Sequence, residues 1–329
     1  SSKPPRCRSR DSAQTPTGEE TMKAIYMEAQ GAPEVLKFGE QPDPVAGPGQ
    51  VVCDIHAASV NAADWKVRAG GYEGGPIESF PYILGRDFSG VVTAAGEGAD
   101  LSVGEQVFGV LDVGQEGAYA EKVAVKSSIL ARRPGGLSHI DAAAIALTGL
   151  TAKISIEDTI KLQSGETILI QGGAGGVASM AIQIAKHIGA KVITTASPSN
   201  HDYLRSLGAD EIIDYNTVDF TTVVSGVDAV FETAGEDVAM RSFEVVRSGG
   251  RVAFIASGPK APVSPRADVA VLRPAVGRDR PHLERVLELL AAGALRVPEV
   301  TVYPLSEAVA AHRVSEARHL KGKLIFQVR

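Results

Sequence analysis

Residues 167–179 read TILIQGGAGGVAS. The core of the opening run, Ile168-Leu169-Ile170, is apolar at successive positions, so both faces of the strand it forms are buried, as in a parallel sheet. Glycines follow at 172, 173, 175 and 176, and then the helix-like run VASMAIQIAKHIG. Strand, glycine turn and helix in that order put Gly173, Gly175 and Ala178 in the frame G-x-G-x-x-G/A. Glycine there allows a sharp turn and close approach of a pyrophosphate, and a small Ala178 lets helix and strand pack. The unpaired amides and positive dipole at the helix start favour phosphate. A structural turn would need the same glycines; the strand–helix alternation around this one makes a dinucleotide site the stronger reading.

Downstream that alternation continues. Strands are expected at 191–196, 211–214, 228–232 and 251–255, helices at 202–207 and 281–292, and a β–α–β tail from Val300 ends in a strand at 323–328. Upstream the pattern is different. Short strands at 22–28, 51–56, 88–95, 106–111 and 118–125, punctuated by glycine and proline, describe a compact β-barrel or sandwich-like unit. The change comes near Asp141, where DAAAIALTGLTAKISI is helical. The fold class is therefore α/β, a β unit joined to a doubly wound parallel sheet.

The chain has 329 residues, 44% hydrophobic and 22% charged, which gives ample material for a folded core. Its net charge of −6 argues against nucleic acid or an anionic membrane as a partner. No apolar run nears the ~20 residues a spanning helix needs. Cysteines occur only at 7 and 53, too few for a disulfide framework, and a cytoplasmic location is expected. Residues 1–21 are polar, without periodicity, and are expected to be a disordered leader. Lys3, Arg6, Arg8 and Arg10 leave a transit peptide open beside the preferred reading, an extended start or an expression remnant.

A dinucleotide's adenosine end is read after the second strand, where an NAD site usually places Asp or Glu on the ribose 2′-hydroxyl. Here Thr194 to His201 read TTASPSNH, with no acid before Asp202. A carboxylate against a 2′-phosphate would cost about 1 kcal/mol at 4 Å in water and ~4 at an effective dielectric of 20. Ser197, Ser199 and Asn200 offer hydrogen bonds instead, so NADP is the expected cofactor. The bland alternative is that these residues cap the next helix.

Taken together, VNAADWKVRAG (60–70), PYILGRDFSGVV (81–92), ALTGLTA (146–152), ILIQGGAGGVA, ADEIIDY (209–215) and the terminal KGKLIF resemble the medium-chain dehydrogenase/reductase superfamily. Within it they resemble the zinc-independent quinone oxidoreductase, or zeta-crystallin-like, branch. The resemblance covers residues 22–329. It implies a GroES-like β-barrel catalytic domain over 22–144 and 293–329 and a Rossmann NADP-binding domain over 145–292. The segments where zinc members of the superfamily carry metal ligands hold Asn61, Arg86 beside Asp87, and Ala144. Asn and Ala are not ligands of a catalytic zinc and Arg repels it, so no metal is expected. A short-chain reductase is excluded as well, because Tyr-x-x-x-Lys follows none of the tyrosines.

Without a Lewis acid, conjugate reduction suits the site better than alcohol oxidation. By resemblance, Asn61, Asp64 and Tyr72 are the catalytic candidates: the first two organise the nicotinamide end, and Tyr72 orients a carbonyl or relays a proton. The bland alternatives are a strand-end contact, a helix cap and a loop aromatic. Thr148, Gly172, Gly173, Gly175, Gly176, Val177, Ser197, Asn200, Tyr215 and Ala256 are the expected cofactor contacts. Lys321 and Lys323 are either phosphate contacts or a solvated charge cluster, the latter preferred. The expected function is zinc-independent hydride transfer from NADPH to a small quinone or enone by a homodimer, paired through the sheet edge near 269–273. A second class stays open: an NADPH-binding structural or regulatory protein of the zeta-crystallin type.

Overall fold

The structure, a computed structural model, describes residues 20–71, 77–256 and 262–329. Of the expected leader, positions 1–19 lie outside the described residues, while Thr21 already pairs with Pro42 in the first strand, Thr21–Met27.

The apolar run at 167–171 forms the strand Thr167–Ile170, inside a six-stranded sheet. On one side of it lie Lys191–Thr195 and then Glu211–Ile213; on the other lie Val227–Glu232, Val246–Phe254 and Ala270–Leu272. Every neighbouring pair is parallel. The chain thus reverses direction across the sheet beside Thr167–Ile170, and such a reversal opens a crevice at the strands' carboxyl ends. Alternate residues enter opposite cores: Ile168, Ile170 and Phe231 face one, Leu169, Val230 and Val252 the other. Burial on both faces is why these strands lack a polar stripe.

A seven-stranded sheet is built around the long strand Gln50–Val60, extending well past the expected 51–56. Its antiparallel partners include Asp87–Ala95, Lys122–Lys126 and the last strand, Lys323–Gln327. The expected strand at 118–125 is shorter at its start, where Ala120 makes only an isolated bridge to Ala24. The registers Leu324↔Val60 and Phe88↔Ala58 bring Asn61, Asp87 and Lys323 to one end of this sheet. The helix His139–Lys153 crosses between the sheets. Its Ser138 cap accepts from the Asp141 amide at 3.0 Å, and Ala143 and Ala144 pack on Ala57 and Ile325. A bridge between Gly175 and Gly322 joins the glycine loop directly to the C-terminal segment.

Candidate active site

The glycine loop leaves the carboxyl end of Thr167–Ile170 and opens the helix Gly176–Ile188, with Gly175 as its cap residue. Gly172 adopts φ +68°, a conformation open to glycine. A Cβ on Gly173 would stand 2.2 Å from the Thr194 hydroxyl, which is itself buried and donates to the Ile170 carbonyl at 2.7 Å. The backbone therefore lies closer to its neighbours than a side chain would permit. The first amides of the helix, on Gly176, Val177 and Ala178, have no partner within the helix by its geometry. Those residues fit a dinucleotide pyrophosphate: an anion-seeking helix start, cleared of side chains.

Ser197 and Asn200 follow the adjacent strand, Ser197 preceding the short turn Pro198–Asn200 and Asn200 closing it. Both stand at helix-capping positions, but neither side chain makes a cap hydrogen bond. Ser197 Oγ instead lies 3.4 Å from both Ser199 Oγ and Asn200 Nδ2. Tyr215 is half exposed beyond Glu211–Ile213, and Ala256 lies 3.6 Å from a Cβ built on Gly235. Thr148 is buried, its methyl 2.9 Å from a Cβ position on Gly176, and its hydroxyl donates back to Ala144 at 2.6 Å. The glycine loop thus touches both Thr148 and, through Thr195, the strand end that leads into the turn.

Asn61 follows directly on Gln50–Val60 and caps the helix Ala62–Ala69. Its Nδ2 donates to Asp87 Oδ1 at 2.7 Å and, more weakly, to Ser59 Oγ at 3.3 Å. Its Oδ1 accepts from Lys323 Nζ at 2.7 Å. Asp87 also accepts from Ser59 Oγ and from the Leu147 amide, a set of donors that suits a buried carboxylate. Burial pushes the Asp87 carboxyl up and the Lys323 ammonium down, and each group's charge opposes the other's shift. Lys323 is only 4% exposed, so the expected solvated cluster is corrected: the register with Val60 carries its ammonium inward. Lys321 pairs with Glu299 on the surface.

Asp64 does not line the crevice. It is fully buried, and its Oδ2 accepts from the Asn61 amide at 2.8 Å and from the Tyr119 hydroxyl at 2.7 Å. Burial, assisted by the Glu116 charge, pushes its carboxyl up to about 7. Behind Tyr119 stands His312, with Nε2 3.2 Å from the hydroxyl; burial and then Arg68 hold its imidazole down at about 3. Asp64 thus touches the site through the Asn61 backbone amide, and its charge acts on Lys323. Tyr72 lies outside the described residues.

The residues at the three zinc segments have other partners. Asn61 belongs to the Asp87–Lys323 network, Arg86 is paired with Glu116 at 2.9 Å, and Ala144 is packed in a helix. Among the described residues no three His, Cys, Asp or Glu side chains converge as a metal site. Sequence reasoning missed Asp87, Ser59 and Tyr119 as parts of this site, and for Lys323 it preferred the solvated alternative. A usable signal was present at 86–87, where charges lead into the apolar strand that follows, and a charge in a buried strand needs a partner.

Residues 47–135 match the family model of the alcohol dehydrogenase GroES-like domain, and residues 207–326 that of the zinc-binding dehydrogenases. The quinone oxidoreductase of Coxiella burnetii is similar in structure, with a TM-score of 0.88 at 33% identity over 94% of this chain and all of that one. The Escherichia coli quinone oxidoreductase, solved in complex with NADPH, has a TM-score of 0.85 at 26% identity over 93% of this chain and all of that one. The 2-haloacrylate reductase of a Burkholderia species is 30% identical over 92% of this chain and 98% of that protein. A mycocerosic acid synthase-like polyketide synthase of Mycobacterium tuberculosis is 31% identical over 92% of this chain. The chain spans 15% of that protein's length, and 8 and 14% of the lengths of two further synthases it matches.

Proposed function

Because the chain belongs to the zinc-independent quinone oxidoreductase branch of the medium-chain dehydrogenase/reductase superfamily, a family of oxidoreductases, we propose that it reduces a quinone or an α,β-unsaturated carbonyl with NADPH. One observation carries the reading: a glycine loop cleared for a pyrophosphate borders Thr148 and Lys323, and through Lys323 the buried Asn61–Asp87 network. Gly172, Gly173, Gly175, Gly176 and Val177 would hold the pyrophosphate, and Ser197 and Asn200 the 2′-phosphate. Thr148 and Ala256 border the same crevice, and Tyr215 stands at its adenosine side. When bound, NADPH supplies the hydride at its nicotinamide C4.

Asn61 positions the reacting end, and Asp64 positions Asn61 by holding its backbone amide; Tyr72 orients the carbonyl. A homodimer completes the proposal, formed across the edge strand Ala270–Leu272, whose outer side has no strand partner among the described residues. NADPH consumption with a panel of quinones and enones, before and after exhaustive chelation, tests the chemistry. Turnover unaffected by chelator is expected. Activity that vanished with chelator and returned with zinc would overturn it, and tight NADPH binding without turnover would favour the binding-protein alternative. Light scattering at micromolar concentration tests the dimer, which a monomeric mass would exclude.

A further inference from the structure

Two adjacent residues, Gly322 and Lys323, hold the glycine loop on one side and Asn61 on the other. Gly322 donates its amide to the Ala174 carbonyl at 3.1 Å and adopts φ +73°. Any Cβ there would stand 2.0 Å from the Glu299 carbonyl oxygen, so the position is restricted to glycine. The Lys323 methylenes fill the space beside Gly176, with Cδ 2.8 Å from a Cβ position on that glycine. At the far end of the side chain, Nζ donates to the Val60 carbonyl and to Asn61 Oδ1, both at 2.7 Å.

An ammonium only donates and a carboxylate only accepts. Bonded to Lys323 on one side and Asp87 on the other, the Asn61 amide therefore has one permitted orientation, oxygen toward the lysine. We infer that Lys323 is a positioning residue that couples occupancy of the glycine loop to the orientation of Asn61. The inference rests on the proposed placement of Asn61 at the reacting end of the crevice. A shift of the loop on binding a pyrophosphate is passed along the lysine stem to the amide, and by linkage the ordered amide favours the loop conformation that binds. Removing the ammonium frees the amide to rotate and leaves Asp87 as a buried carboxylate without its nearby cation.

Lys323→Met keeps the stem beside Gly176 and deletes only the charge and its donors. Asp87→Asn alters the other end of the amide without touching the loop, and serves if Lys323→Met does not fold. Folding is checked by circular dichroism, NADP+ affinity by calorimetry, and kcat and KM with the best acceptor of the panel. Each variant is expected to weaken NADP+ about tenfold and to lower kcat by at least as much. The double variant should be no more than about twofold worse than Lys323→Met, since both break one coupled unit. Losses that multiply in the double variant would overturn the inference, as would a folded variant with lower thermal stability but unchanged Kd and kcat. If the wild-type protein turns over none of the panel, the hydride-transfer reading fails, and the NADP+ titrations of the same variants still decide the coupling.

Discussion

The two sheets build their halves of the site by different means. In the parallel sheet the work is done by backbone: glycines at 172, 173, 175 and 176 clear a path to helix amides, and the crevice follows from strand order. In the antiparallel sheet it is done by side chains distant in sequence, with Asn61, Asp87 and Lys323 meeting only through strand register. A backbone site tolerates almost no added atoms, whereas a side-chain network fails by losing one member. The two halves should therefore break differently.

The largest effect is expected at the loop. Gly173→Ala pushes a methyl into the buried Thr194 hydroxyl, at 2.2 Å in the present geometry, and should weaken NADPH binding by about a hundredfold or more. Calorimetry reads it directly. Adding Thr194→Ala should recover part of the loss if the clash is the cause, and no recovery would point to the turn's backbone instead.

Asn61→Ala comes next. It strands the Lys323 ammonium and the Asp87 carboxylate, each having lost a partner at 2.7 Å, and the penalty for such buried groups is about 1–3 kcal/mol. A fall in kcat/KM of about ten- to a hundredfold is expected, with the folded fraction still binding NADPH. A variant that lost thermal stability but kept normal turnover would make Asn61 purely structural and narrow the contrast between the sheets.

A smaller effect is expected at the adenosine end. Ser197 is partly exposed, so Ser197→Asp should repel a 2′-phosphate with nearly the water value, about 1 kcal/mol at 4 Å or roughly fivefold in kcat/KM for NADPH. NADH use should stay level or rise. Equal wild-type kcat/KM for the two cofactors would defeat the NADP assignment.

The smallest effect is a pH dependence of stability from Asp64. Its folded carboxyl titrates near 7, above the ordinary value of about 3.9, so between those values the folded chain holds a proton the unfolded chain has lost. Stability contributed by this group is complete at low pH and is lost as pH rises through that window. Denaturant unfolding of wild type and Asp64→Asn at pH about 5 and about 7 should show the wild type losing ground at the higher value. A difference between the two proteins that stayed level from pH about 5 to about 7 would mean that Asp64 is ionised throughout.

The parallel half was legible because its signals are local. TILIQGGAGGVAS states strand, turn and helix within 13 residues, and the acid-free stretch after the next strand is contiguous as well. The side-chain half was legible only where a motif named it. Asn61 and Asp64 stood out by resemblance, yet Asp64 proves to be inward-facing, hydrogen-bonded to the Tyr119 hydroxyl 55 positions away. Lys323, preferred as a solvated charge, is among the most buried cations described. Nothing in KGKLIF distinguishes Lys321 on the surface from Lys323 in the core, because both lysines lie on the same side of an alternating pattern.

By itself, the amino-acid order determined the parallel sheet, the position of the glycine loop and the family. Those rest on hydrophobic runs and on glycine's lack of a Cβ, properties that act between near neighbours. Only the tertiary structure decided which charges are buried and what they hold. Lys323, Asn61 and Asp87 are brought together by the pairing of strands from opposite ends of the chain, with 262 positions between the lysine and the asparagine it orients. Burying that ammonium is tolerable only once its acceptors are in place, a condition that exists in the folded sheet and nowhere in the linear sequence.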